Sequence, residues 1–399
     1  MVALYPVNER SGATRMPSFE FATAARILFG EGTLRQVPAA AASMGRRALL
    51  VTGASPERAA PLRKALEAAH VSTVPFAVPG EPTLDLIRSA PRDGDFVIAF
   101  GGGSALDAGK ALAALLTNPG DPLDYLEVIG LGRTLATPAA PCIAIPTTAG
   151  TGSEVTRNAV LASPEHRVKA SLRSPSMLPR LAVVDPELTY DLPRDLSAST
   201  GLDALTQLIE PYVSLRANPM TDQFCVEGMR RAAGALPRVW ENGRDRDARR
   251  EMAWASLLGG MALANAGLGA VHGFAAPIGG MWNAPHGAVC AALLPYAMEV
   301  NIRALRARAP ENARFPEKLI RYDEVARLIT GRPHATAADG VSWIAALCQE
   351  LEIPPLRTYG VAESDLPVLV EKAAQSSSMK GNPISLTGEE LREIISRAL

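Results

Sequence analysis

DFVIAFGGGSALDAGK (residues 95–110) decides how the chain is read: a short apolar run, three consecutive glycines, then a segment of helix-forming residues. A β-strand that ends in glycine and opens directly into a helix brings backbone N–H groups and the positive end of the helix dipole to one place. That is a place for an anion such as a nucleotide diphosphate. Neither common phosphate fingerprint is present. Leu106 stands where G-x-G-x-x-G needs its last glycine, and Ser104 and Ala111 break G-x-x-x-x-G-K-[ST]. A plain structural turn would need one glycine rather than three.

Outward from this stretch, RALLVTG (47–53), CIAIPTT (142–148) and LAVVDP (181–186) are also brief apolar runs closed by Gly, Pro or Thr. An amphipathic segment, PERAAPLRKALEAAH (56–70), separates the first of these from the glycine run. Continuous apolar strands alternating with helices predict a parallel sheet covered on both faces, with ligands at the carboxyl ends of its strands. PTTAGTGSE (146–154) falls at such an end. The hydroxyls of Thr147, Thr148, Thr151, Ser153 and Thr156 suit ribose and phosphate oxygens, although a Ser/Thr/Gly cluster is also an ordinary solvated loop. Beyond about residue 190 the apolar residues recur at three- and four-residue intervals, which is helix period. Thr387 and Glu390 form a capping-box pattern before LREIISRAL. The expected fold is an α/β dinucleotide-binding domain over 1–190 followed by an all-helical domain over 191–399.

Composition removes several function classes. The formal net charge of −1 leaves no basic surplus for a nucleic-acid backbone or an anionic membrane. MVALYPVNERSGATR carries too short an apolar run for a secretory leader, with Pro6 and Glu9 interrupting it. No run is expected to reach the roughly 18 apolar residues of a membrane span. Cys142, Cys225, Cys290 and Cys348 lie far apart in apolar sequence, which predicts buried free thiols in a reducing, cytoplasmic setting.

GGGSALDAGK, PTTAGTGSE, LAVVDPELT, GLDAL, HGFAAPIGG with MWNAPHG, and the closing SSSMKGNPISLTGEEL follow one another as in the iron-containing alcohol dehydrogenases. The likeness runs from about residue 20 almost to the end of the chain. The resemblance implies a dehydroquinate synthase-like fold, a homodimer, and hydride transfer between NAD or NADP and a small alcohol or aldehyde. It implies that Gly101, Gly102, Gly103 and Ser104 hold the cofactor diphosphate. Thr147 and Thr148 would flank the adenosine and ribose, with Thr151 and Ser153 beside them, and Lys169 would approach the nicotinamide ribose. Asp107, one turn into the helix, either faces the cofactor or caps the turn. Gly53 stands where NAD-using relatives often carry an aspartate, which removes a repulsion against a 2′-phosphate and tilts the expectation to NADP, with Arg58 as its partner.

The resemblance also implies one divalent ion, iron or zinc, polarising the substrate oxygen. Asp203, His272 and His286 occupy three of the four ligand positions; the fourth, one turn after Asp203, holds Gln207 instead of histidine. A neutral amide oxygen is a weaker ligand than imidazole for either metal. The histidine often found four places after the first of the pair is also absent, replaced by Ala276. Three expectations therefore stand together. The ion is held by Asp203, His272 and His286 with Gln207 or water; or His272 or His286 donates a proton without tight metal, as in maleylacetate reductase; or the chain binds nucleotide without turnover. His70, His166 and His334 read as surface. Trp254, Tyr212, Trp282 and Asn283 are candidates for an aromatic cleft, against the alternative that they are core.

Overall fold

The computed structural model describes residues 18–282, 284–312 and 314–399. The first part is built on eight strands: β1 (Ile27–Phe29), β2 (Arg47–Thr52), β3 (Ser72–Ala77), β4 (Phe96–Gly101), β5 (Cys142–Pro146), β6 (Asn158–Ser163), β7 (Val168–Arg173) and β8 (Leu181–Val184). Six form a sheet in the order β1-β8-β5-β4-β2-β3, every neighbouring pair parallel, and β6–β7 form a separate antiparallel hairpin. Between them lie α1 (Val37–Ala42), α2 (Ala60–Ala68), α3 (Leu84–Ser89), α4 (Gly103–Thr117) and α5 (Pro122–Tyr125).

The alternation of a pleated strand explains why both faces had to be covered. Leu49, Val51, Val97 and Ala99 pack with Leu106 and Leu112 of α4. Their neighbours Ala48, Leu50, Phe96 and Ile98 point the other way, against Leu62 and Leu66 of α2. The four strands expected from apolar runs are β2, β4, β5 and β8. Three elements carried no such signal. β1 is three residues long, β3 is an edge strand containing Pro75, and the half-exposed β6–β7 hairpin lies outside the main sheet.

The sheet ends at Val184, and a helical part begins with α6 (Arg194–Val213), α7 (Pro219–Glu241), α8 (Arg246–Ala266), α9 (Ala270–Trp282) and α10 (His286–Ala307). It continues through α11 (Arg314–Thr330), α12 (Ala337–Glu350), α13 (Leu366–Gln375) and α14 (Gly388–Arg397), whose Thr387–Glu390 capping box is formed. One expectation is corrected here: α10 is long and apolar enough to cross a membrane, yet 78% of its most apolar window is buried inside the protein. Its apolarity serves the helical core. Pro295 within α10 cannot donate to the carbonyl of Ala291. The Cys348 thiol donates to that carbonyl at 3.4 Å.

The two parts meet backbone to backbone. Gly152, at the end of the PTTAGTGSE loop, has φ +58°, and a Cβ there would stand 2.3 Å from the Cα of Gly260 in α8. Phe29 of β1 stacks edge-on against Trp254 of α8 with ring centroids 4.8 Å apart. A Cβ on Gly152 meets both a left-handed backbone and a filled space. Gly152→Ala should therefore cost roughly 2–5 kcal/mol, the sum of the left-handed penalty and overpacking. Denaturant unfolding measures it; an unchanged midpoint would show that the two backbones are not pressed together as described.

Candidate active site

The glycine run begins at the carboxyl end of β4. Gly101 has φ +159° and lies against the backbone of Gly53, where β2 ends, so two strand ends form one floor. Gly102 is the residue before α4, whose first-turn N–H groups are left without a side-chain cap. The second loop packs directly against this turn: a Cβ on Gly102 would meet Thr148 at 3.4 Å, and one on Gly103 would meet Thr151 at 2.7 Å. A larger residue at 103 would push the two loops apart. Gly101, Gly102, Gly103, Ser104, Thr147, Thr148 and Thr151 are thus brought together; Gly53 joins them through Gly101.

Other hydroxyls of the second loop serve the scaffold. Ser153 Oγ donates to Asp107 at 2.5 Å, and the Thr156 hydroxyl bonds Lys110 Nζ at 2.8 Å. Asp107 also accepts the Val160 N–H at 3.0 Å and pairs with Lys110 at 3.1 Å. Asp107 caps nothing, since α4 has no side-chain cap; it ties α4 to the second loop and to β6. Lys169, on β7, is 9% exposed, pairs with Glu81 at 2.9 Å, and lies against Gly279 of α9. Arg58 is exposed at the start of the segment before α2, with one guanidinium N–H donated to the Leu188 carbonyl at 2.7 Å.

The helical part supplies a second constellation. Asp203, Gln207 and Glu210 lie at i, i+4 and i+7 on α6, one face of the helix, and all three are buried. Glu210 takes the N–H of Val271 at 2.8 Å and lies 2.7 Å from His272 Nδ1. This assigns the Nδ1 proton to that bond and turns His272 Nε2 inward, toward Asp203. His272 Nε2 is 3.4 Å from Asp203 Oδ1, and His286 Nε2 is 3.7 Å from the same oxygen. His286 heads α10 and keeps 33% side-chain exposure, whereas His272 keeps 6%. Cys290, one turn along α10, completes the group, with Sγ 3.8 Å from His272 Nε2 and 3.7 Å from His286 Nε2. Cys290 was expected to be an inert buried thiol. It is buried, but it faces the cluster, and Cys348 is only partly buried. The H-x-x-x-C spacing on an apolar helix was the signal that could have found it.

Burial alone would push the Asp203 carboxyl up; the imidazoles of His286 and His272 outweigh it and hold the group below the usual carboxylate range. Burial likewise works against charge on His272, but the facing Cys290 and Asp203 raise its affinity for a proton. The cluster concentrates negative charge that calls for a positive occupant. Asp203 Oδ1 and Gln207 Oε1 are buried acceptors without a hydrogen-bond donor, which is expensive unless something positive serves them. Asp203, His272, His286 and Cys290 can turn one atom each to a common centre, these atoms all lying within 4.8 Å of one another. The donor set fits a divalent cation.

Both constellations meet at α6. A Cβ on Gly150 would touch Thr200, and one on Gly287 would touch the Ser199 carbonyl, so the second loop and the His286 turn lie over the same turn, just ahead of Asp203. Of the aromatic candidates, Tyr212 is core, its hydroxyl donating to Glu324 at 2.6 Å, and Trp254 belongs to the junction with Phe29. Trp282 is half-buried at the end of α9; Asn283 lies outside the described residues. Ala276 sits on α9 one turn after His272, and His70, His166 and His334 are exposed.

Residues 24–186 match the family model described as iron-containing alcohol dehydrogenase, and residues 197–399 match the C-terminal model of the Fe-containing alcohol dehydrogenase family. Alcohol dehydrogenase 4 of Schizosaccharomyces pombe is 39% identical over 306 residues, 76% of this chain and 69% of that protein. The 1,3-propanediol dehydrogenase of Klebsiella pneumoniae is 37% identical over 310 residues, 76% of each chain. The crystal structure of a 1,3-propanediol oxidoreductase superposes with a TM-score of 0.86 at 32% identity, covering 96% of this chain and all of that one (100%).

The bond from Glu210 to His272 gives a test. Glu210→Gln should weaken zinc binding about 10- to 100-fold, the usual effect of losing a carboxylate that orients a ligating imidazole. Competition against a chromophoric chelator measures it, and unaltered affinity would remove Glu210 from the site.

Proposed function

The chain belongs to the iron-containing alcohol dehydrogenase family, and from that premise we propose metal-assisted reduction of a short aldehyde at the Asp203–His272–His286 cluster, with NADPH as the preferred hydride source. It is an NAD(P)-dependent oxidoreductase interconverting a small alcohol and its aldehyde or ketone. The observation that carries the metal is the pair of buried acceptors, Asp203 Oδ1 and Gln207 Oε1, beside two imidazole Nε2 atoms. A divalent cation held there would supply Lewis-acid polarisation of the carbonyl, and the nicotinamide would supply the hydride.

The chain's own groups do the rest. Asp203 contributes the anionic ligand from the buried face of α6. Glu210 fixes the tautomer of His272 and turns its Nε2 inward. His286, the more exposed of the two histidines, marks the side on which substrate enters and on which a proton can pass to solvent. The N–H groups at the start of α4, with Thr148 and Thr151 packed beside Gly102 and Gly103, line the proposed seat of the diphosphate.

NADPH is favoured by the end of β2. A Cβ on Gly53 would meet no atom within 4 Å, so the place where a carboxylate would repel a 2′-phosphate is open. Arg58, a few residues on and exposed, offers the countercharge. A homodimer in the cytoplasm completes the reading, by family likeness and by four cysteines without disulfides.

Oxidation of NADPH and NADH with three- and four-carbon aldehydes is the direct test. Turnover abolished by a chelator and restored by a divalent metal is expected. Turnover indifferent to chelator would move the chemistry to a proton held by His286, and no turnover on a broad panel would sink the proposal. Because space exists for it, Gly53→Asp should leave the fold intact and shift preference toward NADH by about 10-fold or more, as one new repulsion against the 2′-phosphate and one new acceptor for the 2′-hydroxyl imply. An unchanged NADPH/NADH ratio of kcat/KM would refute the assignment of Gly53.

A further inference from the structure

We propose that Cys290 supplies a thiolate ligand to the metal, taking the place in the coordination shell that Gln207 fills poorly, and that the site is thereby a zinc site. This rests on the reading of the cluster as a metal site. It adds a ligand outside the Asp203, Gln207, His272 and His286 set.

Cys290 Sγ stands at nearly equal distances from two imidazole nitrogens, 3.8 Å from His272 Nε2 and 3.7 Å from His286 Nε2. Those nitrogens stand 3.4 and 3.7 Å from Asp203 Oδ1. A tetrahedral zinc ion with Zn–N and Zn–O near 2.0–2.1 Å and Zn–S near 2.3 Å separates its ligand atoms by about 3.3–3.6 Å. Four of the six edges of this cluster, 3.4–3.8 Å, are those of a zinc tetrahedron slightly expanded, and the other two lie within 4.8 Å.

An ordinary buried thiol accounts for less. One S–H can serve only one of the two imidazoles, and Asp203 Oδ1 is buried with no hydrogen bond formed to it. A cation at the common centre satisfies all four atoms at once. Helix geometry supports the assignment: His286 and Cys290 are four residues apart on α10, so both project from one face toward Asp203 and His272.

The chemistry then selects the metal. Two neutral imidazoles, a carboxylate and a thiolate balance a divalent charge in a buried pocket. A thiolate is a soft ligand that suits zinc, and Gln207 offers only a neutral amide oxygen. On binding, the thiol proton leaves to solvent as the S–Zn bond forms, and no electron moves.

The test reads coordination rather than turnover. X-ray absorption at the zinc edge of the zinc-loaded full chain should show one sulfur at about 2.3 Å among nitrogen and oxygen ligands. Cys290→Ser and Cys290→Ala should lose that sulfur, and zinc affinity should fall at least about 10-fold by chelator competition. The cobalt(II) form should lose its near-ultraviolet thiolate-to-metal absorption in the same variants. A shell of nitrogen and oxygen alone in the unsubstituted chain overturns the proposal. So does a sulfur signal that survives in Cys290→Ala, or a failure of the chain to take up zinc. The unsubstituted chain decides the matter even if a variant folds poorly. Failure of the aldehyde assay would count against the proposed activity without touching the sulfur signal.

Discussion

The carboxylate of Asp203 is 1% exposed in the middle of a helical core, and much of the site is organised around keeping it there. An isolated carboxylate in apolar surroundings would take up a proton rather than hold its charge. Here two imidazoles and a thiol face it from α9 and α10, and Glu210, two turns along the same helix, holds one of those imidazoles in place. On the same face of α6, Asp203 and Gln207 each keep a buried oxygen without a donor, while Glu210 is held by the Val271 N–H. The α/β part reaches this face through the second loop, seated on the turn of α6 just ahead of Asp203.

Much of this was legible because the physics is local. A central parallel strand is apolar on both faces, so β2, β4, β5 and β8 read as unbroken runs. The glycines that end β4 announce a backbone that something must approach. Elements on the margins gave no such signal. β3 mixes Pro75 with exposed residues because an edge strand needs one covered face only, and the β6–β7 hairpin leans on α4 and α9 rather than on the sheet. The apolarity of α10 looked ordinary as sequence, yet it passes a membrane-span test because a helix buried among other helices meets the same demand as one buried in lipid.

Within the site, Asp203, His272 and His286 were named in the sequence by family resemblance, and the fold brings their side chains together. Cys290 does not stand out, since cysteine is among the commonest buried residues and its neighbours are apolar. Only the fold brings α9 against α10 and reveals what the thiol faces. Asp107 shows the converse difficulty: its place near the phosphate loop permitted a cofactor role, while Ser153 and Val160 from other elements and Lys110 from its own helix hold it in the scaffold.

That scaffold has a thermodynamic consequence. Lys110 is fully buried and donates to the Ser153 carbonyl and the Thr156 hydroxyl while paired with Asp107, so the second loop is stapled to α4 from beneath. Ordering a flexible residue costs roughly 1–2 kcal/mol of conformational entropy. A loop already stapled has met that cost during folding, and the nucleotide arrives at a surface whose shape it need not create. Discrimination among nucleotides then resides in fit to a surface that stands before they arrive.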